Sequence, residues 1–402
     1  MIAETRSISF MFSVTRTPLH RNGFVCELRL QTLPLGYDKE GEHNTLCLRV
    51  ARADGIARQT RVRPPPAGGI RSAVDIPGSV THAAQRLVSL YRRTGADVPL
   101  GDPLPSHGTE MEGWFWRLSD PADGRVVVAL CSANRHRDGD WSTAAIALHP
   151  GGVVRSAAID GVRAHRSRFA VAARAGDDFV EADGKRLAMA IGDSAVDLAF
   201  SREFRWPKAF GGGGLASSVP YLNQYWHPYR LGAKATGTVT CGDQHWRFSD
   251  ATLYCERNWG SGFPRRWWWG QAHDFDGADV SVVFSGGLLE FGPLKREVTG
   301  VVVRLEDRVL RITPPAWVSS SCDGQRWRVD ARSARYHVEL DGSGDGAQPH
   351  VLPVPLPAER RNVDTDYEHL AGTLRCTVRE WGRIIFDGTT QLAGLEVGSR
   401  PG

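Results

Sequence analysis

The chain has few cysteines for its length, and none is placed to work as a pair. Its 402 residues hold seven: Cys26, Cys47, Cys131, Cys241, Cys255, Cys322 and Cys376. An odd total with no C-x-x-C spacing argues against a zinc site or a disulfide framework and fits a reducing compartment. No run approaches the ~18 apolar residues of a membrane span. The apolar stretch Ser7 to Val14 follows Glu4 and lacks a small-residue cleavage site after it, so it does not read as a signal peptide. The formal net charge is only +4, and the arginines are scattered rather than gathered in a stripe, so nucleic acid is not an expected partner. No clustered His, Asp and Glu spacing offers a metal site, and no G-x-G-x-x-G fingerprint offers a dinucleotide site; neither metal nor cofactor is expected. The run "FGGGGLASS", Phe210 to Ser218, reads as a mobile loop or hinge, because no strand-to-helix context makes it a phosphate cradle. Together these absences point to a soluble, cytoplasmic protein.

Tryptophan is missing too, but only from the first quarter of the chain: all 13 lie beyond Gly108. Residues 1–80 show no sustained periodicity and are broken by "RPPPAGG", so they read as a weakly ordered extension. One strand pair stands out there, in "FVCELRLQTL" and "TLCLRVARA". Residues 81–106 should form one helix and a linker. In "THAAQRLVSLYRRTG", Ala84, Leu87, Val88 and Tyr91 recur at helical spacing, between a capping Thr81 and a terminating Gly95. Beyond that the period becomes two. "GRVVVALCSA", "WSTAAIALH", "ADVSVVFSGG", "EVTGVVVRLED" and "GTLRCTVREW" read as short strands bounded by Gly, Asp and Pro. Many short strands with few helices indicate an all-β architecture of antiparallel sandwiches or barrels. The length exceeds one comfortable core, so two side-by-side β domains are expected, at 107–245 and 246–402.

What is abundant is concentrated. In "YCERNWGSGFPRRWWWGQAHDF", three consecutive tryptophans are interleaved with polar groups. Strand alternation puts Trp267, Trp269, Gln271, His273 and Phe275 on one face and Trp268, Gly270, Ala272 and Asp274 on the other. A second stripe carries Glu112, Trp114 and Trp116, and a third carries Tyr221, Asn223, Tyr225 and His227. Any one stripe fits ordinary sheet core, whereas three that mix aromatics with hydrogen-bonding groups describe the lining of a ligand cavity.

The segments "EGWFWRLSDPADG", "VPYLNQYWHPYR" and "YCERNWGSGFPRRWWWGQAHDF" resemble the tocopherol cyclase family, in the same order over roughly residues 107–390. The resemblance implies paired lipocalin-like β domains, related in architecture to carotenoid hydratases. It places Tyr254, Glu256, Arg257, Trp259, Gly260, Phe263, Pro264, Trp267, Trp269, Gln271 and Phe275 on the family's main motif, and Glu112, Gly113 and Trp114 on its opening. The chain departs from the pattern at Asn223, where some members carry an acid, and at His273, where others carry Asn. The implied reaction adds a proton to the alkene of a prenylated quinol, and the phenol oxygen then captures the tertiary cation. That chemistry needs a carboxylic acid kept protonated by desolvation and aromatic faces for the cation. Glu256, Asp274 and Glu112 are the candidate acids, and His273 or Gln271 the candidate acceptor for the phenol proton. Glu256 could equally be an ion-pair partner of Arg257, and Asp274 on a regular strand would face away from His273. The expected ligand is an isoprenoid or prenylated aromatic, reached by peripheral contact with a membrane. A carrier of such lipids, or a hydratase adding water to the same alkene, are the alternatives.

Overall fold

A computed structural model describes residues 9–19, 23–33, 45–52, 78–201 and 205–400. The chain divides into two compact units, Met1–Asp75 and Ile76–Gly402. In the first, β1 (Ser9–Leu19), β2 (Gly23–Leu33) and β3 (Thr45–Arg52) form an antiparallel meander. The expected strand pair is β2 with β3. The remaining residues of the expected N-terminal extension up to position 77 lie outside those described.

The second unit opens with α1 (Gly78–Arg92). Its terminating glycine is Gly95, at φ +90°. A Cβ there would come within 2.2 Å of the Tyr225 ring, so close packing adds to the backbone requirement. The helix is anchored at its C-terminal end, where Tyr91 donates to the Ser218 carbonyl and Arg92 pairs with Asp97 at 2.9 Å, while Leu87, expected on the packed face, is half exposed.

Two curled antiparallel sheets follow. The first contains β4 (Met111–Asp120), β5 (Arg125–Asn134), β6 (Trp141–His149), β7 (Val153–Asp160), β8 (Arg163–Ala164), β9 (Ala170–Ala175), β10 (Asp178–Asp183), β11 (Arg186–Ile191), β12 (Ser194–Ser201), β13 (Gln224–Cys241) and β14 (Gln244–Gly260). The second contains β15 (Arg266–Phe275), β16 (Ala278–Phe291), β17 (Leu294–Leu305), β18 (Arg308–Ile312), β19 (Trp317–Cys322), β20 (Arg326–Arg332), β21 (Tyr336–Ser343), β22 (His350–Leu356), β23 (Arg361–Glu380) and β24 (Arg383–Ser399). In each, the first strand pairs with the last, β4 with β14 and β15 with β24, and pairing breaks after the fourth strand; in the second sheet β22 and β21 both pair with β23 instead of with each other. Both are thus lipocalin-like up-and-down barrels left open at the same place. The change of sheet falls between Gly260 and Arg266 rather than at residue 245, because β13 and β14 form one long hairpin that completes the first sheet.

Alternation fills each curl. Trp116, Leu118, Val127, Ile146 and Leu253 belong to the first core; Trp268, Phe284, Val303, Trp327 and Leu395 belong to the second. The opposite faces meet each other. Val126, Val128 and Ala147 pack on Leu352 and Leu370, and Leu231 and Tyr254 pack on Trp269, Val283 and Val302. The glycine run is pinned rather than mobile. Gly214–Ser218 is a 3-10 turn, Gly212 N–H donates to His227 Nδ1 at 3.2 Å, and Arg311 donates to the Phe210 carbonyl at 2.7 Å.

Candidate active site

Three adjacent tryptophans fit in β15 because its neighbours give way. Trp267 stands opposite Gly398 on β24, and Trp268 opposite Gly286 on β16. A Cβ would come within 1.9 Å of the Trp267 ring at Gly398 and 2.2 Å of Trp268 Nε1 at Gly286. Only glycine leaves room for the rings. Trp268 then turns into the second core, while Trp267 and Trp269 face a cavity between the sheets.

That cavity is partly open to solvent. Its walls include Trp114, Phe115, Tyr225, Trp226, Phe263, Trp267 and Trp269, with three carboxyl groups, Glu256, Asp366 and Glu396. No Lys, Arg or His lines it among the described residues. Glu256 projects from β14. Its Oε2 accepts from Trp226 Nε1 at 2.8 Å, Trp269 Nε1 at 2.8 Å and the Tyr254 hydroxyl at 2.5 Å. Burial pushes this carboxyl above its ordinary value, against the pull of the three donors. All three donors act on Oε2; Oε1 takes none of these bonds.

Across β24, Glu396 accepts a hydrogen bond from Trp267 Nε1. Alternate tryptophans of the block therefore each hold one carboxyl, Trp267 holding Glu396 and Trp269 holding Glu256. Asp366 and Glu396 share a hydrogen bond. Burial raises Glu396 to about 7, and raises Asp366 well above its usual range.

Arg257 does not pair with Glu256. Alternation turns it to the other face of β14, where its guanidinium bonds Glu112 at 2.5 Å and lies 5.2 Å from the Trp114 ring and 4.7 Å from that of Trp259. Glu112 also accepts from Ser106 Oγ and from the backbone of His107 and Gly108. Burial would raise it, but Arg257 and these donors hold it below the usual carboxylate value, so it is an ionised structural group away from the cavity. Trp259 donates to the Gly95 carbonyl and stacks on His107 at 4.5 Å. Trp116 lies in the first core, so of that stripe only Trp114 reaches the cavity.

The other expected residues are placed as follows. Gln271 and His273 form an inter-sheet seam beside the cavity: Arg117 donates to Gln271 Oε1 at 3.1 Å, Gln271 Nε2 lies 3.0 Å from His273 Nδ1, and Ser119 contacts His273 Nε2. Burial lowers His273 to about 4 despite Asp274 beside it. Asp274 does not face away from His273. It sits in a bulge at φ +62°, and Ser119 Oγ donates to it at 2.8 Å. The same bulge turns Phe275 over into the second core. Tyr221 is exposed at φ +61°, because β13 begins only at Gln224 and the alternation expected through Tyr221 and Asn223 has no strand to follow. Asn223 clamps the backbone at Leu288 and Glu290 instead. Tyr225 reaches the cavity, with its hydroxyl anchored on the carbonyls of Thr94 and Val219. Sequence reasoning missed Asp366 and Glu396; the available signal was an acid amid the apolar and glycine residues of "AGLEVG".

Comparison with known proteins places this arrangement. A family model described as tocopherol cyclase-like matches residues 199–399. The Glu112 to Trp114 opening lies outside that match. A probable chloroplastic tocopherol cyclase of Oryza sativa subsp. japonica is 28% identical over 207 residues, 47% of this chain and 42% of that protein. A chloroplastic tocopherol cyclase of Zea mays is 28% identical over 211 residues, 48% of this chain and 43% of that protein. The match thus spans less than half the length of these relatives. Among solved structures, kievitone hydratase from Nectria haematococca superposes with a TM-score of 0.45 at 12% identity, covering 73% of this chain and 90% of that one. With half of its length on the family model, the chain belongs to the tocopherol cyclase-like family.

Proposed function

We propose that this protein is an acid isomerase of prenylated aromatic substrates. Glu256 protonates a trisubstituted prenyl alkene, and a phenol oxygen of the same molecule captures the tertiary cation to close a chromanol-type ring. The supporting observation is Glu256 itself, a carboxyl on an aromatic cavity that desolvation pushes towards its protonated form. Alkenes are weak bases, so the acid must be held dry and close to them. Trp226, Trp267 and Trp269 offer π faces to the cation, each worth ~2 kcal/mol when desolvated. The relatives are named for tocopherol cyclisation, and a prenylated quinol fits the same cavity chemistry.

Glu256→Gln tests this reading, because glutamine keeps the shape but cannot deliver a proton. Turnover of a geranyl-substituted dimethylhydroquinone should fall by about 100-fold or more with the melting temperature and ligand binding retained. Full turnover in the variant would remove Glu256 from the reaction. A product heavier by one water would indicate hydration instead of cyclisation, and binding of the quinol with no product from the wild type would indicate a carrier.

A further inference from the structure

Cyclisation gives up one proton for each it takes. The phenol oxygen that captures the cation must lose its hydrogen, and the groups expected to accept it stand elsewhere. Both nitrogens of His273 are engaged within the seam, and neither His273 nor Gln271 lines the cavity. The cavity's only other carboxyl groups among the described residues are Asp366 and Glu396.

We propose that the Asp366–Glu396 pair is the proton acceptor of this site, with the Glu396 carboxylate taking the phenol proton. The proposal rests on the proposed function and supplies the half of the reaction that Glu256 cannot perform. In the step, the O–H proton of Glu256 forms a C–H bond with the alkene. The phenol oxygen forms the C–O bond to the resulting cation, and its O–H electron pair stays on oxygen as the proton moves to Glu396. Glu256 ends as carboxylate and Glu396 as acid. The proton returns through water entering the open cavity as product leaves, so nothing is consumed.

Three carboxylates could not all ionise together in one aromatic cavity without a cation, so protons are shared out among them. Asp366 acts as the protonated member that donates to Glu396, and Trp267 Nε1 donates to the same carboxylate. Both contacts favour the Glu396 anion. On β23, Glu368 stands directly opposite Glu396 with both oxygens buried and unpartnered. Burial holds Glu368 in its neutral form, with Arg117 of β4 the nearby cation. Glu256 of β14 faces the pair as the remaining acid. With Glu396 at about 7, its carboxylate form is available at neutral pH.

Two probes separate acid from base: the geranyl dimethylhydroquinone, which needs both, and its dimethyl ether, which has no phenol proton. In deuterium oxide, reversible protonation of the ether's alkene needs only Glu256 and is read as deuterium uptake. In Glu396→Gln, cyclisation of the quinol should fall about 100-fold while deuterium uptake into the ether stays near wild type. Glu256→Gln should lose both reactions. Wild-type cyclisation in Glu396→Gln would overturn the proposal, as would equal loss of both reactions in that variant. A wild type inert to both probes would overturn the proposed function itself, and this inference with it.

Discussion

Glu256 combines two properties that pull in opposite directions. Burial favours its neutral form, while two indole N–H groups and a phenol O–H on one oxygen favour its anion. The first keeps a proton available and the second stabilises the carboxylate left when the proton goes, so the donors act at the moment charge develops. Trp269→Phe removes one donor and keeps an aromatic face. A hydrogen bond to a charged group is worth ~1.5–3 kcal/mol, so turnover should fall by roughly tenfold or more with quinol binding little changed. Single-turnover kinetics beside calorimetric binding would check it, and an equal loss in both would mean that the indole acts only through packing. Glu256 was legible in the sequence because the tryptophan motif surrounds it, but its partner was not. Adjacency suggested Arg257, and strand alternation sends these neighbours to opposite faces. Glu112 illustrates the same limit, since only the fold shows that Arg257 neutralises it at 2.5 Å. Arg257→Met should leave the buried Glu112 with only the more distant Arg135, at 3.8 Å, and cost about 3 kcal/mol, seen as a lower urea midpoint.

At the scale of the element, β15 carries the site and its neighbours make it feasible. The face bearing Trp267 and Trp269 could be read from alternation alone. The point at which alternation stops could not, because the bulge at Asp274 depends on φ +62° and on Ser119 and Thr252 from other strands. Nor could the glycines opposite the tryptophans, which lie more than a hundred residues away for Gly398. Gly398→Ala should force the Trp267 ring aside and disturb its bond to Glu396. Overpacking of this kind costs about 1–3 kcal/mol, expected as a melting temperature lower by a few degrees and a weakened quinol affinity. An unchanged melting temperature would show that β24 shifts freely and that the ring does not depend on the glycine. The third stripe failed for a related reason: period two was extended through Tyr221, where the chain is a turn held by its N–H to the Thr94 carbonyl.

At the largest scale, the two open barrels of the second unit share one plan, set their outer faces together and leave a cavity that belongs to both. The all-β class was legible from period two, turn residues and length. The division between sheets was not, because the hairpin of β13 and β14 runs past any composition signal. Asp366 and Glu396 were equally hidden, since isolated acids in strands read as solvated positions until the last strand pairs with β15. Clustering raised carboxyls has a consequence for stability. Below the unfolded-chain value of Glu396, both states are protonated and its contribution is flat. Between there and about 7 the folded protein keeps a proton the unfolded chain has lost, so stability falls as pH rises. Asp366 and Glu368, also raised by burial, extend the decline. Urea unfolding at several pH values should show this fall, and Glu396→Gln should flatten it; an identical slope in the variant would mean that Glu396 titrates normally. The most direct test of proton delivery by Glu256 is wild-type turnover of the geranyl dimethylhydroquinone in deuterium oxide beside Glu256→Gln. The expected result is a chromanol with one deuterium on the ring carbon that was the alkene CH, formed by the wild type and not by the variant. A chromanol without deuterium at that carbon, or one formed equally by the variant, would contradict it.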